Sequence, residues 1–379
     1  MAVNKINPFP TTGYIGKEYF CDRETELTTL KSLVKNGVNT TLISPRRLGK
    51  SALIHRLFEE LETTKSFYCI YTDIYATQSV KDFTECLSQM ILRQIPEQKS
   101  IGNRFLDLLK AFHPVISYDP LSGQPEISLE FTENKAVEKT LASIFHFLDS
   151  QNKPILIAID EFQQIANYPE TNTESILRSH IQRLKNVHFI FSGSNKHMMV
   201  ELFNSAKRPF FSSTRMLSLP VIDKDIYSSF IHDKFKDGGR EIQPEAVQFI
   251  LDWTRSHTYY TQTICNLVYA SPLKRIKEED VKNICDSFLA SQQAMYIQYR
   301  RLLSPVQWQL LIAIAKEGSV SQPQSKYFLE KYNIGTPSNS KRALDALLTK
   351  EMIYQEDDLE SSRYQVYDVF LSRWLERTF

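Results

Sequence analysis

Residues 41–61 constrain this chain more than any other stretch. An apolar run, Thr41-Leu42-Ile43, leads into Ser44-Pro45-Arg46-Arg47-Leu48-Gly49-Lys50-Ser51, and an amphipathic segment, Ala52–Leu61, follows. Strand, loop and helix in that order make a phosphate-binding loop, G-x-x-x-x-G-K-[ST], with Ser44 in place of the first glycine. The backbone N–H groups of residues 44–52 and the helix N-terminus would face phosphate oxygens, Lys50 would reach the β/γ oxygens, and the Ser51 hydroxyl would sit on Mg²⁺. Serine at position 44 gives up some backbone freedom but adds no bulk that blocks a phosphate.

A second stretch agrees with the first. Ile155-Leu156-Ile157-Ala158-Ile159 is an unbroken apolar run, as in a strand buried on both faces of a parallel sheet, and it ends in Asp160-Glu161. Open α/β sheets bind ligands at the carboxyl ends of their strands. Two carboxylates there suit phosphoryl chemistry, with Asp160 holding Mg²⁺ through water and Glu161 polarising the attacking water. Val187-His188-Phe189-Ile190-Phe191 is a further buried strand, ending in Ser192-Gly193-Ser194-Asn195. Ser194 or Asn195 is placed to contact the γ-phosphate or the attacking water, and Ser192 points elsewhere.

Composition restricts the surroundings of such a site. Lys+Arg 45 against Asp+Glu 44 leaves a net charge of +1, so no global field draws the chain to nucleic acid or an anionic membrane. The five cysteines form no C-x-x-C pair and read as small buried hydrophobes in a reducing compartment. The histidines have no ligand spacing. The first residues lack a signal-peptide core, and no uncharged apolar run approaches membrane-spanning length, so a cytoplasmic, untethered protein is expected.

The expected organisation is an extended arm over 1–17, an α/β domain over 18–220, a helical module over 221–296 and a last domain over 297–379. Asp22 reads as the N-cap of the first helix. The segment 114–131, with its Asp-Pro and Ser-Gly tip, reads as a hairpin inserted in the α/β domain. Residues 221–296 show helical patterning and no strand. In 301–379, helices over 304–316, 321–332 and 338–350 precede two short strands and a helix over 368–377, the pattern of a winged helix. Ser304 caps the first of these helices, with Pro305 at its first position.

These pieces together resemble the archaeal-type ATPase family, AAA+-related P-loop proteins often grouped with the STAND signalling NTPases. The likeness is carried by Phe20-Cys21-Asp22-Arg23-Glu24-Thr25-Glu26-Leu27, by the paired arginines before Gly49-Lys50-Ser51 and by Asp160-Glu161-Phe162-Gln163. It continues in Ser192-Gly193-Ser194-Asn195 and in Tyr367-Asp368-Val369-Phe370 followed by Trp374-Leu375. The resemblance implies a P-loop NTPase of AAA+/ASCE-like type, with a parallel sheet sandwiched by helices, an α-helical lid and a winged helix, and with ATP and Mg²⁺ as ligands.

It implies roles as well. Arg23 lies near the nucleotide base. Of Arg46 and Arg47, one braces the domain and the other contacts phosphate. Arg208 and Arg215 fall where AAA+ proteins place an arginine finger, although each taken singly is more simply a surface arginine. Relatives carry a Gly-x-Pro turn in the lid where this chain has Ser256-His257-Thr258, and His257 there is expected as a structural turn residue.

Three functions compete at this stage: an ATPase switch with a winged-helix output, a nucleotide-controlled DNA-binding regulator, and a non-hydrolysing nucleotide-binding scaffold. Intact Lys50, Ser51, Asp160 and Glu161 favour turnover. In residues 301–379 ten basic side chains are cancelled by ten acidic ones, and the wing tip is Glu356-Asp357-Asp358-Leu359-Glu360. Such a wing repels a phosphate backbone, so a protein partner is favoured over DNA.

Overall fold

The computed structural model describes residues 7–94, 99–110, 114–118, 125–129, 134–357 and 362–379. They form two compact units, one of residues 12–221 and one of residues 7–11 with 222–379.

The first unit runs α1 (Glu24–Lys35), β1 (Thr40–Ile43), α2 (Lys50–Thr63), β2 (Tyr68–Asp73), α3 (Val80–Gln94) and α4 (Lys99–Lys110). It continues with β3 (Pro114–Tyr118), β4 (Pro125–Leu129), α5 (Asn134–Asp149), β5 (Ile155–Asp160), α6 (Thr173–Ile181), β6 (Val187–Gly193), α7 (Lys196–Asn204) and β7 (Arg215–Ser218). Five strands form one sheet in the order β2-β5-β6-β1-β7, with every neighbouring pair parallel. Every residue of β1 and β5 is buried, as the apolar runs require.

Alternation along the strands separates two cores. Ile157, Ile159, Phe189 and Phe191 pack with Phe83, Leu141 and Phe145 on one face. Leu42, Leu156, Ala158 and Ile190 pack with Leu30, Leu53 and Leu57 on the other. The expected sandwich of a parallel sheet between helices is therefore the fold.

Register then collects the chemistry at one edge. Ile43 pairs with Gly193, Asp73 with Asp160 and Ile159 with Phe191, so β1, β2, β5 and β6 all deliver their carboxyl ends to the same side.

One local expectation needs correction here. Asp22 does not cap α1: Asp22 and Arg23 both adopt left-handed backbone (φ 57° and 70°), and Arg23 occupies the cap position with no side-chain cap. Helix α4 was not anticipated. The hairpin strands β3 and β4 pair antiparallel from Pro114↔Leu129 to Tyr118↔Pro125, while the expected turn at 119–124 lies outside the described residues.

The second unit holds α8 (Lys224–Asp237), β8 (Glu241–Ile242), α9 (Pro244–Trp253), α10 (Thr258–Ala270), β9 (Arg275–Ile276) and α11 (Glu278–Arg301). After these come α12 (Pro305–Glu317), α13 (Lys326–Tyr332), α14 (Pro337–Thr349), β10 (Ile353–Asp357), β11 (Ser362–Val366) and α15 (Val369–Thr378). The expected all-helical module contains a short parallel pair, β8–β9, and α11 runs unbroken across 296/297. Helix α13 starts at Lys326 under a Ser325 cap, later than the expected 321, because Pro323 and the turn around it keep 321–324 out of the helix. Ser304 does cap α12, in a capping box with Gln307.

Strands β10 and β11 form the wing, and a Val320–Tyr364 bridge adds to it; residues 358–361 of the tip lie outside the described residues. Residues 7–11 of the expected arm belong to this unit. Phe9 is fully buried against Phe235 and Tyr269; Asn7 Nδ2 donates to the Asn266 carbonyl at 3.0 Å and Asn266 Nδ2 donates to the Phe9 carbonyl at 2.8 Å.

Candidate functional site at the carboxyl edge of the sheet

The loop from Ser44 to Gly49 joins β1 to α2 at this edge. Ser44 is not among the residues with positive φ; the left-handed positions are Arg47 (φ 61°) and Gly49 (φ 103°). The turn that relatives make with a first glycine is thus made here without a left-handed backbone at position 44, and Ser44 is tolerated. Leu48 is the buried anchor of the loop, and its carbonyl accepts from Arg23 Nη2 at 3.4 Å. Arg23 is itself buried and paired with Glu26 at 2.9 Å, so its position behind the loop is fixed by charge and hydrogen bonding.

Gly49 precedes α2 with no side-chain cap, which leaves the first-turn amides of Lys50, Ser51 and Ala52 without a side-chain acceptor. The helix dipole adds partial positive charge at the same point. Lys50 is 5% exposed, and its Nζ donates to the Ser44 carbonyl at 3.0 Å and the Pro45 carbonyl at 3.3 Å. Burial pushes its pKa down, opposed by the nearby Asp160 and Glu161 charges. This is a desolvated cation held by neutral carbonyls.

Asp160 ends β5 and is the most densely hydrogen-bonded carboxylate of the edge. Its Oδ2 accepts from Ser51 Oγ at 2.7 Å and from the Tyr71 hydroxyl; its Oδ1 accepts from Ser192 Oγ and from the Glu161 amide at 3.0 Å. Burial raises its pKa, but the hydrogen bonds from Ser192, Tyr71 and Ser51, with the Lys50 charge, outweigh burial and hold it below the usual value. Ser51 and Asp160, the pair expected to hold a metal, are therefore together.

Glu161 turns into left-handed backbone (φ 55°, ψ 39°). That turn breaks strand alternation, which would otherwise send adjacent Asp160 and Glu161 to opposite faces. Glu161 Oε2 accepts from Ser194 Oγ at 2.8 Å and from Gln163 Nε2. Ser194 Oγ also accepts from Arg46 Nε at 3.3 Å, so the loop arginine reaches the end of β6. Of the two expected candidates after β6, Ser194 faces the carboxylates, while Asn195 caps α7 by accepting from the Met198 amide.

The two arginine-finger candidates lie elsewhere. Arg208 is held by Glu174 at 3.0 Å and Glu201 at 3.3 Å, tying α6 to α7. Arg215 begins β7 opposite Thr40, at the end of the sheet away from the loop that follows Ile43. Neither side chain converges with Lys50 and Glu161 in this chain.

Reading the sequence missed Tyr71 and Gln163 and sent Ser192 elsewhere. Tyr71 reaches Asp160 only because β2 neighbours β5, a pairing no local motif encodes. Ser192 and Ser194 are two apart on one strand end, the spacing that puts both on one side, and that signal was available.

The residues fit a bound Mg²⁺. A hydroxyl and one carboxylate are hard oxygen ligands, and this ion keeps waters and takes phosphate oxygens for the rest of its shell. Among the described residues no group of three or more His, Cys, Asp or Glu could hold a metal by itself. Nor is any helix there long and apolar enough to cross a membrane.

Comparison with known proteins agrees with this geometry. A model of a probable winged helix domain matches residues 294–377. No functionally curated protein matches the chain. Among solved structures, the Walker-type ATPase PABY2304 of Pyrococcus abyssi superposes with a TM-score of 0.66 at 17% identity, over 97% of this chain and 99% of that one. The Aeropyrum pernix ORC2 protein, solved as ADPNP–ADP complexes, superposes with a TM-score of 0.59 at 13% identity, over 99% and 96%. At such identities these two establish the fold. The model of the ATPase domain found predominantly in Archaea matches residues 20–264, well over half of the chain, and to that family the chain belongs.

Proposed function

We propose that this protein is a Mg²⁺-dependent ATPase that works as a conformational switch with its winged helix as output. The observation that carries the reading is the convergence of Lys50, Ser51, Asp160 and Glu161, from one helix start and the end of one sheet strand, at a single edge. Family membership and the nucleotide complexes of the ORC2 neighbour support ATP as the ligand.

In this reading residues 44–52 cradle the phosphates with backbone amides, Lys50 neutralises the β/γ oxygens, and Arg23 supports the loop from behind. Ser51 and Asp160 would hold Mg²⁺, which would offset charge developing on the transferred group. Glu161 accepts the proton of the attacking water, and Ser194 orients that carboxylate. Arg46 links loop to strand end through Ser194, which makes it the brace of the arginine pair. Arg208 and Arg215 could act as fingers only on another molecule or after rearrangement.

The exposed face of α14 carries Ser338, Asn339, Lys341 and Arg342, but the balanced charge of 301–379 favours a protein partner on the winged helix.

The test is nucleotide binding and Mg²⁺-dependent hydrolysis by wild type, Lys50→Ala and Glu161→Gln, with and without duplex DNA. Wild type is expected to bind and hydrolyse, and Lys50→Ala to lose affinity by about a hundredfold. Glu161→Gln should bind normally while turning over about a hundredfold or more slowly, as expected on losing a general base. No nucleotide binding by wild type overturns the reading. Binding without turnover in any condition transfers it to a scaffold, and stimulation by DNA transfers the output to a DNA regulator.

A further inference from the structure

Glu161 is held by more than the serine that follows β6. Gln163, two residues further along, is about nine-tenths buried, and its Nε2 donates to the same oxygen, Oε2, that Ser194 engages. A carboxylate only accepts, so the glutamine must present its N–H side to it. Ser194 Oγ has one hydrogen, and because the oxygen already accepts from Arg46 Nε, that hydrogen goes to Glu161. Both protein donors thus converge on one carboxylate oxygen. Among the described residues Oε1 takes no hydrogen bond from the protein, and it is the oxygen left to meet a water.

A second observation points to the same glutamine. A Cβ built on Gly193 would fall inside the Gln163 amide and 2.6 Å from the Met199 sulfur. Gly193 is not among the glycines of positive φ, so its backbone conformation does not call for glycine. What calls for it is the space taken by the Gln163 amide together with the buried Met199 side chain. That amide leaves its own Oε1 buried without a hydrogen-bond partner. An unpaired buried carbonyl is destabilising, and Glu161 is itself held in left-handed backbone. Local stability alone would select neither feature.

Resting on the ATPase reading above, we propose that Gln163 is the positioning residue for Glu161: with Ser194 it pins one carboxylate oxygen and aims the other at the attacking water, and Gly193 is glycine to admit it. Gln163 touches neither phosphate nor water in this scheme and acts through Glu161.

The experiment is steady-state ATP hydrolysis by the full chain with Gln163→Met, which fills the same notch but cannot donate, beside Gln163→Ala, Gly193→Ala and Gln163→Ala/Gly193→Ala. ADP affinity and melting temperature are read on each variant. Gln163→Met should lower kcat about tenfold or more, as small misplacements of a catalytic group do, with KM and ADP affinity within about twofold of wild type. Gly193→Ala should lower kcat in the same way when Gln163 is present and have a smaller effect when it is Ala, where only the Met199 contact remains. A kcat for Gln163→Met equal to wild type, or a loss that appears wholly in KM, overturns the proposal. Equal kcat losses from Gly193→Ala in both backgrounds overturn the link between the two residues. A wild type that binds ATP but does not hydrolyse it removes the ATPase reading and this inference together, whereas an active wild type, an inactive Glu161→Gln and an unimpaired Gln163→Met remove this inference alone.

Discussion

The carboxyl edge of the sheet and the seam between α9–α11 and α15 both bury polar side chains, but to different ends. At the edge, Lys50 and Asp160 are withdrawn from water, and the cation is met by the Ser44 and Pro45 carbonyls and the Ser44 hydroxyl. At the seam, Arg255 donates to Gln365 at 3.2 Å and Ser372 at 2.9 Å, and Arg373 Nε donates to the Trp253 carbonyl at 2.8 Å. There the arginines border an aromatic cluster in which Phe370 lies 4.7 Å from both Tyr260 and Phe288 and 5.8 Å from Trp253. A buried charge among carbonyls is poised to meet an anion; buried rings rimmed by guanidinium groups make a rigid joint. The helical module and the winged helix therefore share one core, with α11 continuous through it.

The largest effect should come from breaking the joint. Phe370→Ala removes the ring at the centre of the seam, and buried Phe→Ala changes cost about 3–5 kcal/mol. All three tryptophans, Trp253, Trp308 and Trp374, lie in this unit, so their fluorescence follows its unfolding in denaturant. The fluorescence midpoint should fall by that amount while hydrogen exchange of β5 and β6 amides stays as in wild type. Equal loss of protection in the sheet would show that the two regions do not fold as separate cores.

At the edge the complementary change is Lys50→Met. It should abolish the rise in melting temperature that ADP gives, with affinity down about a hundredfold, the order of two charge-assisted hydrogen bonds. Without ligand the variant should melt no lower than wild type, since replacing a desolvated cation by an apolar chain of similar length relieves burial of charge. A ligand-free midpoint well below wild type would mean that Lys50 is structural.

The two regions also differ in how far they could be read from the sequence. The phosphate loop, β5 with its acidic end and β6 were legible because each is a local pattern: an apolar run of strand length ending in turn or charged residues. The partners that make the edge a site were less so. Tyr71 reaches Asp160 across a strand pairing, and the role of Gln163 depends on the missing side chain of Gly193. In the second unit, Ser304 as a cap and Pro305 at the first helical position marked the start of α12 correctly. Joins failed where the deciding contact is distant: Phe9 docks on residues more than two hundred positions away, and two-residue strands such as β8 and β9 carry no periodicity to detect.

A smaller effect sharpens the comparison by pH. His55, His180 and His188 all lie in the first unit, and burial lowers the pKa of each below the ordinary 6.5. A histidine whose folded pKa is depressed resists a proton that the unfolded chain accepts, so its stabilising effect is present above pH 6.5 and is lost as pH falls through and below that value. Asp160, also depressed, adds a loss of the same sign at lower pH. Acidification from neutrality should therefore lower the hydrogen-exchange protection of the sheet, taken relative to the intrinsic rate at each pH, before the tryptophan signal changes. His55→Gln, which removes the ring tilted against Tyr71 at 4.6 Å, should reduce that pH dependence. A tryptophan transition that comes first would reverse the assignment.

The smallest effect concerns the residue at which the loop departs from its pattern. Where a phosphate loop needs glycine for left-handed backbone, restoring glycine relieves strain; in this chain the left-handed positions are Arg47 and Gly49, and Ser44 is not one of them. Ser44→Gly should therefore bring no gain in nucleotide affinity. It removes a hydroxyl that lies 3.0 Å from the Pro45 carbonyl and 3.4 Å from Lys50 Nζ, and it frees the unfolded chain, a cost of roughly 0.5–1 kcal/mol in melting. Arg47→Gly, at a position that is left-handed, should shift stability the other way by about 1 kcal/mol. Opposite signs for these two glycine substitutions, read as melting temperatures of the ligand-free chain, are the outcome that the backbone of this loop dictates; equal signs would mean that its turn is set by something other than φ at 47 and 49.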